Sequence, residues 1–267
     1  MAQQLFVTQQ TPIVSRPSPP ICIVAGSSRC GTTYLWGILQ RHPALSPTPY
    51  KEIKFFHRYY DKGINWYRSQ FGRPGIPFDV TPGYMIQMDR KVPDRIQEHY
   101  PGATIVFLLR EPVERAISSW YHHHQHKPDS WVYEVGIKKY FDQALKKLIA
   151  NGPIVAKQAY TGMVRGGIYV PFLKEWAKRF DPQQIIVYFS EEFFASPSAV
   201  ATDLLKRLQV STNIKSEWYR LSRKNKSPKH AAGCNAKVRR KLRDYYRPYN
   251  QELRELLGRD LPDSWQY

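Results

Sequence analysis

The chain has 267 residues, 42% hydrophobic and 14% aromatic, enough to bury a substantial core in one large domain and too apolar for wholesale disorder. Forty lysines and arginines against 22 aspartates and glutamates leave a formal charge of +18, which points to an anionic partner: a nucleotide, an acidic glycan, a nucleic acid or a membrane surface. Three scattered cysteines (Cys22, Cys30 and Cys234) carry neither metal-ligand spacing nor a disulfide framework, and neither a long apolar run nor a signal-peptide pattern is present. A soluble, cytoplasmic protein in a reducing compartment is the expectation.

Residues 1–20, rich in Gln, Ser and Pro and closing on Arg16-Pro17-Ser18-Pro19-Pro20, read as a flexible leader. Residues 21–267 read as a single domain without internal repeats. The first buried strand is Ile21-Cys22-Ile23-Val24. A small-residue loop follows, Ala25 to Gly31, and Thr32 to Arg41 has the apolar spacing of a helix. Strand, loop and helix start make an anion cradle. The first N–H groups of the helix, at Thr32 and Thr33, have no internal acceptor, and the helix dipole is positive there. Gly26 and Gly31 have the separation found in the P-loop of nucleotide hydrolases, but Thr32 stands where the lysine belongs, and the loop cation is Arg29. A tight strand-to-helix turn without a ligand is the plainer alternative.

Tyr50 to His57 sets Lys51 and Lys54 around Glu52, next to Phe55 and Phe56. Such a segment suits a carboxylate that takes a proton while a lysine offsets negative charge, or a surface strand with a salt bridge. Pro77 to Tyr84 reads as a short strand ending in a turn, with Thr81 and Tyr84 facing a ligand; residues 89–100 follow as an amphipathic helix. Ala103 to Leu109 is the clearest core strand. It runs into Arg110-Glu111-Pro112, where Pro112 and the acids around it mark a helix start. An arginine at the carboxyl end of a buried parallel strand points into the ligand crevice of an open α/β sheet. With Ser118 further along the helix, Arg110 makes a grip for a second, separate phosphate. His122 and His126 share a helical face, but nothing completes a metal site there. These histidines suit a helix end and the lining of an acceptor cleft. Residues 137–150 and 168–180 read as helices, 184–189 as a core strand, 220–230 as a charged loop and 235–257 as a long amphipathic helix.

Several of these segments, in this order, resemble the sulfotransferases that use 3′-phosphoadenosine-5′-phosphosulfate (PAPS), especially the heparan sulfate sulfotransferase branch. Gly26 to Thr33 matches the family's G-x-x-[KR]-x-G-T-T loop, and Lys51, Glu52, Phe55 and Phe56 match its K-E-x-H-F-F segment. Arg110 to Ser118 matches R-[DE]-P-V-E-R-x-x-S. Gly167, Tyr169, Leu173, Trp176 and Phe180 resemble a G-x-Y-x-x-x-L-x-x-W-x-x-x-F helix, and Tyr245 to Asn250, Leu253 and Trp265 the family's C-terminal helix and closing tryptophan. The resemblance spans residues 21–265.

The resemblance implies an α/β fold, a P-loop-like three-layer sandwich with a central, mainly parallel sheet flanked by helices. It implies metal-free transfer of the sulfuryl group of PAPS, releasing adenosine 3′,5′-bisphosphate, with Glu52 as general base and Arg29 and Lys51 stabilising the departing phosphate. Ser28, Arg29, Cys30, Gly31, Thr32 and Thr33 would hold one end of the nucleotide, and Arg110, Ser118, Lys229 and His230 the other. Lys54, Phe56, Thr81, Tyr84, His122 and His124 would line the acceptor side. Lys54 departs from the family's histidine and Val80 from its lysine. With no disulfide, a cytoplasmic bacterial or cyanobacterial member fits best. The expected acceptor is a small molecule or secondary metabolite rather than a carbohydrate, modified on oxygen or nitrogen, with no nucleic acid or membrane as partner. A P-loop kinase-like enzyme and a non-enzymatic polyanion binder are the alternatives.

Overall fold

The computed structural model of the protein describes residues 20–126, 136–154, 161–222 and 236–267. The chain begins with β1 (Cys22–Gly26), crosses into α1 (Thr32–Leu39) and returns through β2 (Leu45–Pro47). Two short helices, α2 (Phe55–Arg58) and α3 (Ile64–Arg68), precede β3 (Ile76–Val80). Then come α4 (Val92–His99), β4 (Thr104–Leu109) and α5 (Pro112–His126). The helices α6 (Gly136–Asn151), α7 (Gly162–Arg165) and α8 (Val170–Ala177) lead to β5 (Ile185–Phe189). The chain closes through α9 (Ser190–Ala195), α10 (Pro197–Arg207), α11 (Ser216–Ser222) and α12 (Ala236–Leu257).

The five strands form one parallel sheet in the order β2-β3-β1-β4-β5. A parallel sheet is covered on both faces, so its inner strands are unbroken apolar runs rather than alternating ones. That is the pattern of β1 and β4, every residue of which is buried. Ile23 and Ala25 point into one core with Phe107, Phe172 and Trp176, beneath α4 and α8. Cys22 and Val24 point into the other with Leu35, Ile38, Leu204 and Leu205, beneath α1 and α10. Helices, sheet and helices make the three expected layers. A third core, built from residues such as Ile117, Phe141, Val164 and Tyr246, joins α5, α6, α7 and α12.

From β1 the chain winds outward to β2 and β3 on one side, and afterwards to β4 and β5 on the other. The carboxyl ends of β1 and β4 therefore flank the point where the winding reverses, where open α/β sheets form their ligand crevice. Pro112 opens α5 as its sequence implies. The short strand expected to end in a turn within residues 77–84 does so: β3 stops at Val80, and Pro82–Ile86 is a 3-10 turn. The three-residue β2 and the short α9 and α11 are too brief for periodicity to reveal. Among the described residues no helix is long and apolar enough to cross a membrane.

Candidate active site

The loop between β1 and α1 takes its shape from its glycines. β1 pairs in register with β4 as far as Val24 and Val106, then slips so that Gly26 lies opposite Phe107. Gly26 passes so close to Met85 that a Cβ added to it would sit 2.6 Å from the Met85 Cβ. Gly31, at φ 90°, is the left-handed residue that turns the chain into α1. It caps the helix without any side-chain hydrogen bond, so the first-turn N–H groups are left to whatever lies in the crevice. The loop is clamped from outside. Ser27 Oγ donates to the Gly166 carbonyl at 3.0 Å, and Arg115 donates to the carbonyls of Ser28, at 3.3 Å, and Met163. Ser190 Oγ lies 2.9 Å from the Cys30 carbonyl and 2.8 Å from that of Leu109, tying the loop to β4.

Arg110 leaves the end of β4 half-buried, with the Tyr169 hydroxyl donating to its carbonyl at 2.7 Å. Its Nη1 donates to the Arg29 carbonyl at 3.3 Å. Arg29, at φ 71°, turns its own side chain the other way, and its Nε donates to Ser118 Oγ at 3.3 Å. The two phosphate grips expected to be separate are thus interlocked through Arg29. Burial, and then the neighbouring Arg110 and Arg115, hold the Arg29 guanidinium below its ordinary range. Guanidinium groups crowded in this way repel one another until an anion enters.

Glu52 lies on the segment before α2, its N–H bonded to the Val80 carbonyl at 3.0 Å. Glu52 and Lys54 have φ of 66° and 58°, a left-handed conformation that costs a non-glycine residue about 1–2 kcal/mol and tends to collect at functional sites. Lys51 Nζ donates to Glu52 Oε1 at 2.7 Å, and Lys54 Nζ is 3.8 Å from Oε2. Burial alone would raise the Glu52 carboxyl, but Lys51, Lys54 and His122 outweigh it and hold it below the usual value. Burial also lowers the Lys51 ammonium, with Glu52 opposing and Arg29 and Lys54 adding to the shift. The pair therefore stands within electrostatic reach of both the loop and α5. His57, which sequence reasoning passed over, is pushed down to about 4 by burial and then by Lys54 and Arg58. Neutral at physiological pH, it packs edge-on against Tyr84, with ring centres 5.4 Å apart.

Three residues expected to face the acceptor do not. Phe56, Thr81 and Tyr84 are 0%, 1% and 0% exposed. Phe56 packs edge-on against Phe55 and Tyr67. Thr81 and Tyr84 turn inward because the buried carboxylate of Asp79 collects their hydroxyls. Cys30 and Thr32 also bury their side chains, so they offer an anion only backbone. Ser28 is exposed, Thr33 and Lys51 are half-buried, and Lys54 stands at the surface. His122 is half-buried, whereas His124 is exposed and packs edge-on against Trp120. Lys229 and His230 lie outside the described residues. Arg115, given no separate role in the sequence, is 2% exposed and clamps the loop.

Residues 19–232 match the family model for the sulfotransferase domain. Human bifunctional heparan sulfate N-deacetylase/N-sulfotransferase 3 is 27% identical over 282 residues, which cover 92% of this chain and 31% of that protein. Human heparan sulfate glucosamine 3-O-sulfotransferase 3B1 is 26% identical over 263 residues, covering 90% of this chain and 64% of the relative. The chain thus spans about a third of the first relative and just under two thirds of the second. A crystal structure of a sulfotransferase from Alicyclobacillus acidocaldarius shares the fold with a TM-score of 0.70 at 24% identity, over 94% of this chain and 100% of that one. Mouse sulfotransferase SULT7A1, solved with PAP, has a TM-score of 0.51 at 13% identity, over 89% of each chain.

Proposed function

The chain belongs to the sulfotransferase domain family, and on that premise we propose that it transfers the sulfuryl group of PAPS to a hydroxyl or amine of an acceptor. The observation that carries this reading is the meeting of two anion grips. Arg110 Nη1 is 3.3 Å from the Arg29 carbonyl, near enough for one doubly phosphorylated nucleotide to bridge them. PAPS supplies, when bound, an electrophilic sulfur joined to a nucleotide leaving group. The residues present fit such a donor: an uncapped α1, a left-handed Gly31 that admits close backbone approach, and guanidinium groups crowded close enough for Arg110 and Arg115 to lower Arg29.

The roles follow from the chemistry. The N–H groups of Gly31 to Thr33, with Arg29, hold the end that reacts; Arg110 and Ser118 hold the 3′-phosphate. Glu52 takes the proton of the acceptor as the bond to sulfur forms. Lys51 and Arg29 stabilise the charge that gathers on the phosphate oxygen as the sulfur–oxygen bond breaks. Lys51 has a second task. It neutralises Glu52 at 2.7 Å; an anion against the loop draws it away, and the Glu52 carboxyl then rises toward the range of an effective base. Thr32 stands where a kinase-like P-loop needs the lysine that reaches terminal phosphates, which weakens that alternative.

The relatives named for heparan sulfate favour a carbohydrate acceptor over the small molecule expected from sequence. Lys54, Arg58 and Arg90 act together on His57, and a wall so charged suits an acceptor bearing acid groups. Sulfur-labelled PAPS tests the reading against a panel of glycans, amines and small alcohols without added metal. Label should pass to one class, and Glu52→Gln should lower turnover by about 100- to 10,000-fold with bisphosphate affinity nearly unchanged. A glutamine variant as active as its parent contradicts the assignment of Glu52.

A further inference from the structure

We propose that Asp79 is a positioning residue for Glu52: a carboxylate sealed beneath the acceptor wall, whose hydroxyl relay fixes the strained segment that carries the proton acceptor. The inference rests on the reading of Glu52 given above. Asp79 lies on β3 and is 0% exposed. Its Oδ1 accepts a hydrogen bond from Thr81 Oγ1 at 2.7 Å. Its Oδ2 accepts from the hydroxyls of Tyr67 at 2.9 Å and Tyr84 at 3.2 Å. Tyr84 passes the restraint on, because its oxygen accepts from the Phe56 N–H at 3.3 Å. On the near side, the Glu52 N–H is bonded to the carbonyl of Val80, the neighbour of Asp79. Residues 52–56, with left-handed Glu52 and Lys54 among them, are therefore pinned to β3 at both ends, once directly and once through Asp79 and Tyr84.

Ionisation is what completes the relay. Three hydroxyl donors around one carboxylate are satisfied while it carries no proton; a protonated Asp79 brings in a fourth hydrogen, and one contact opens. The groups facing it are Tyr67 from α3, Thr81 and Tyr84 after β3, Tyr100 at the end of α4, and Lys51 from the acceptor wall. Burial raises the carboxyl to about 6, with the three hydroxyls and Lys51 opposing. A folded-state value above the ordinary one means that folding favours the protonated acid. The associated stability is present below about pH 4 and is lost as pH rises through about 6. An amide would escape that penalty but sets two N–H hydrogens among the three hydroxyl donors, so it opens the relay as the protonated acid does.

The test compares the parent with Asp79→Asn and Tyr84→Phe, using PAPS with water as acceptor, adenosine 3′,5′-bisphosphate as binding probe, and amide exchange at Phe56. Asp79→Asn should compare best with the parent in melting temperature at pH 7 and worst below about pH 4, where the parent's own carboxyl is neutral. It should bind the bisphosphate within about threefold of the parent, yet hydrolyse PAPS at least about tenfold more slowly. The parent's turnover should fall with a midpoint near pH 6, and that limb should be absent from the asparagine variant. Tyr84→Phe keeps the charge and breaks the relay, so Phe56 should exchange at least about tenfold faster and turnover should fall by about three- to tenfold. Turnover by both variants within about threefold of the parent, or unchanged Phe56 exchange in Tyr84→Phe, overturns the proposal. A parent that does not bind the bisphosphate overturns instead the reading of the site on which it rests.

Discussion

Two strand-to-helix junctions meet at the site and treat the same physical problem in opposite ways. Both α1 and α5 start at the carboxyl end of an inner parallel strand, and both begin with N–H groups that their own helix cannot satisfy. The start of α5 is closed by Glu111, whose carboxylate accepts from the Val113 N–H at 3.0 Å and the Glu114 N–H at 2.6 Å. The start of α1 is left open, with Gly31 making no side-chain cap. The closed junction therefore presents a guanidinium, Arg110, and the open one presents backbone. A guanidinium fork suits a phosphate that keeps its charge throughout. A backbone cradle suits an anion whose charge grows during the reaction, because its donors are already aimed and do not reorganise.

Substitutions at the two junctions should separate their roles. Arg110→Ala should remove charge-assisted hydrogen bonds worth about 1.5–3 kcal/mol, weakening the bisphosphate about 10- to 100-fold. Adenosine 5′-phosphosulfate, which lacks the 3′-phosphate, should bind parent and variant alike. Calorimetry with both ligands checks this, and equal losses for both would erase the division between junctions. Gly31→Ala forces a side chain to φ 90° with its Cβ 3.0 Å from Phe194, at about 1–2 kcal/mol. It should weaken both nucleotides to a similar degree, the reverse of the Arg110 pattern.

Glu111→Ala uncaps α5 and should lower stability by about 1 kcal/mol, or about 2–4 °C in melting temperature, with little change in bisphosphate affinity. Glu111→Gln sharpens the point with pH. Burial raises the Glu111 carboxyl, against the N–H groups of Glu114 and Val113. Folding thus favours its neutral form, and the associated stability is lost as pH rises through the folded-state value. The glutamine variant should therefore compare best with the parent at neutral pH, and its relative advantage should shrink in acid as the parent's own carboxyl becomes neutral. Melting curves at pH 4 and pH 7 decide this.

How much of this was legible in the sequence depended on whether a feature is local. Apolar runs of four or more residues marked β1, β4 and β5, and the loop glycines and Arg110 marked the crevice, since each signal lies within one segment. What could not be read is made by contacts between distant segments. Thr81 and Tyr84 follow a strand that leads to the site, and only packing shows that Asp79 pulls their hydroxyls inward. Arg29 and Ser118 are 89 residues apart, so nothing local announces their hydrogen bond. The resemblance puts Phe56 on the acceptor side, but a helical turn starting at Phe55 carries it into the core. The partner lysines of Glu52 were visible; the left-handed backbone that presents them was not.

The measurement that bears most directly on the central claim is a calorimetric titration with adenosine 3′,5′-bisphosphate in the presence of a metal chelator, repeated with ATP and magnesium. One bisphosphate should bind per chain, with a Kd on the order of 1 μM and far more tightly than ATP. Binding of ATP that depends on magnesium, with the bisphosphate ignored, would contradict it.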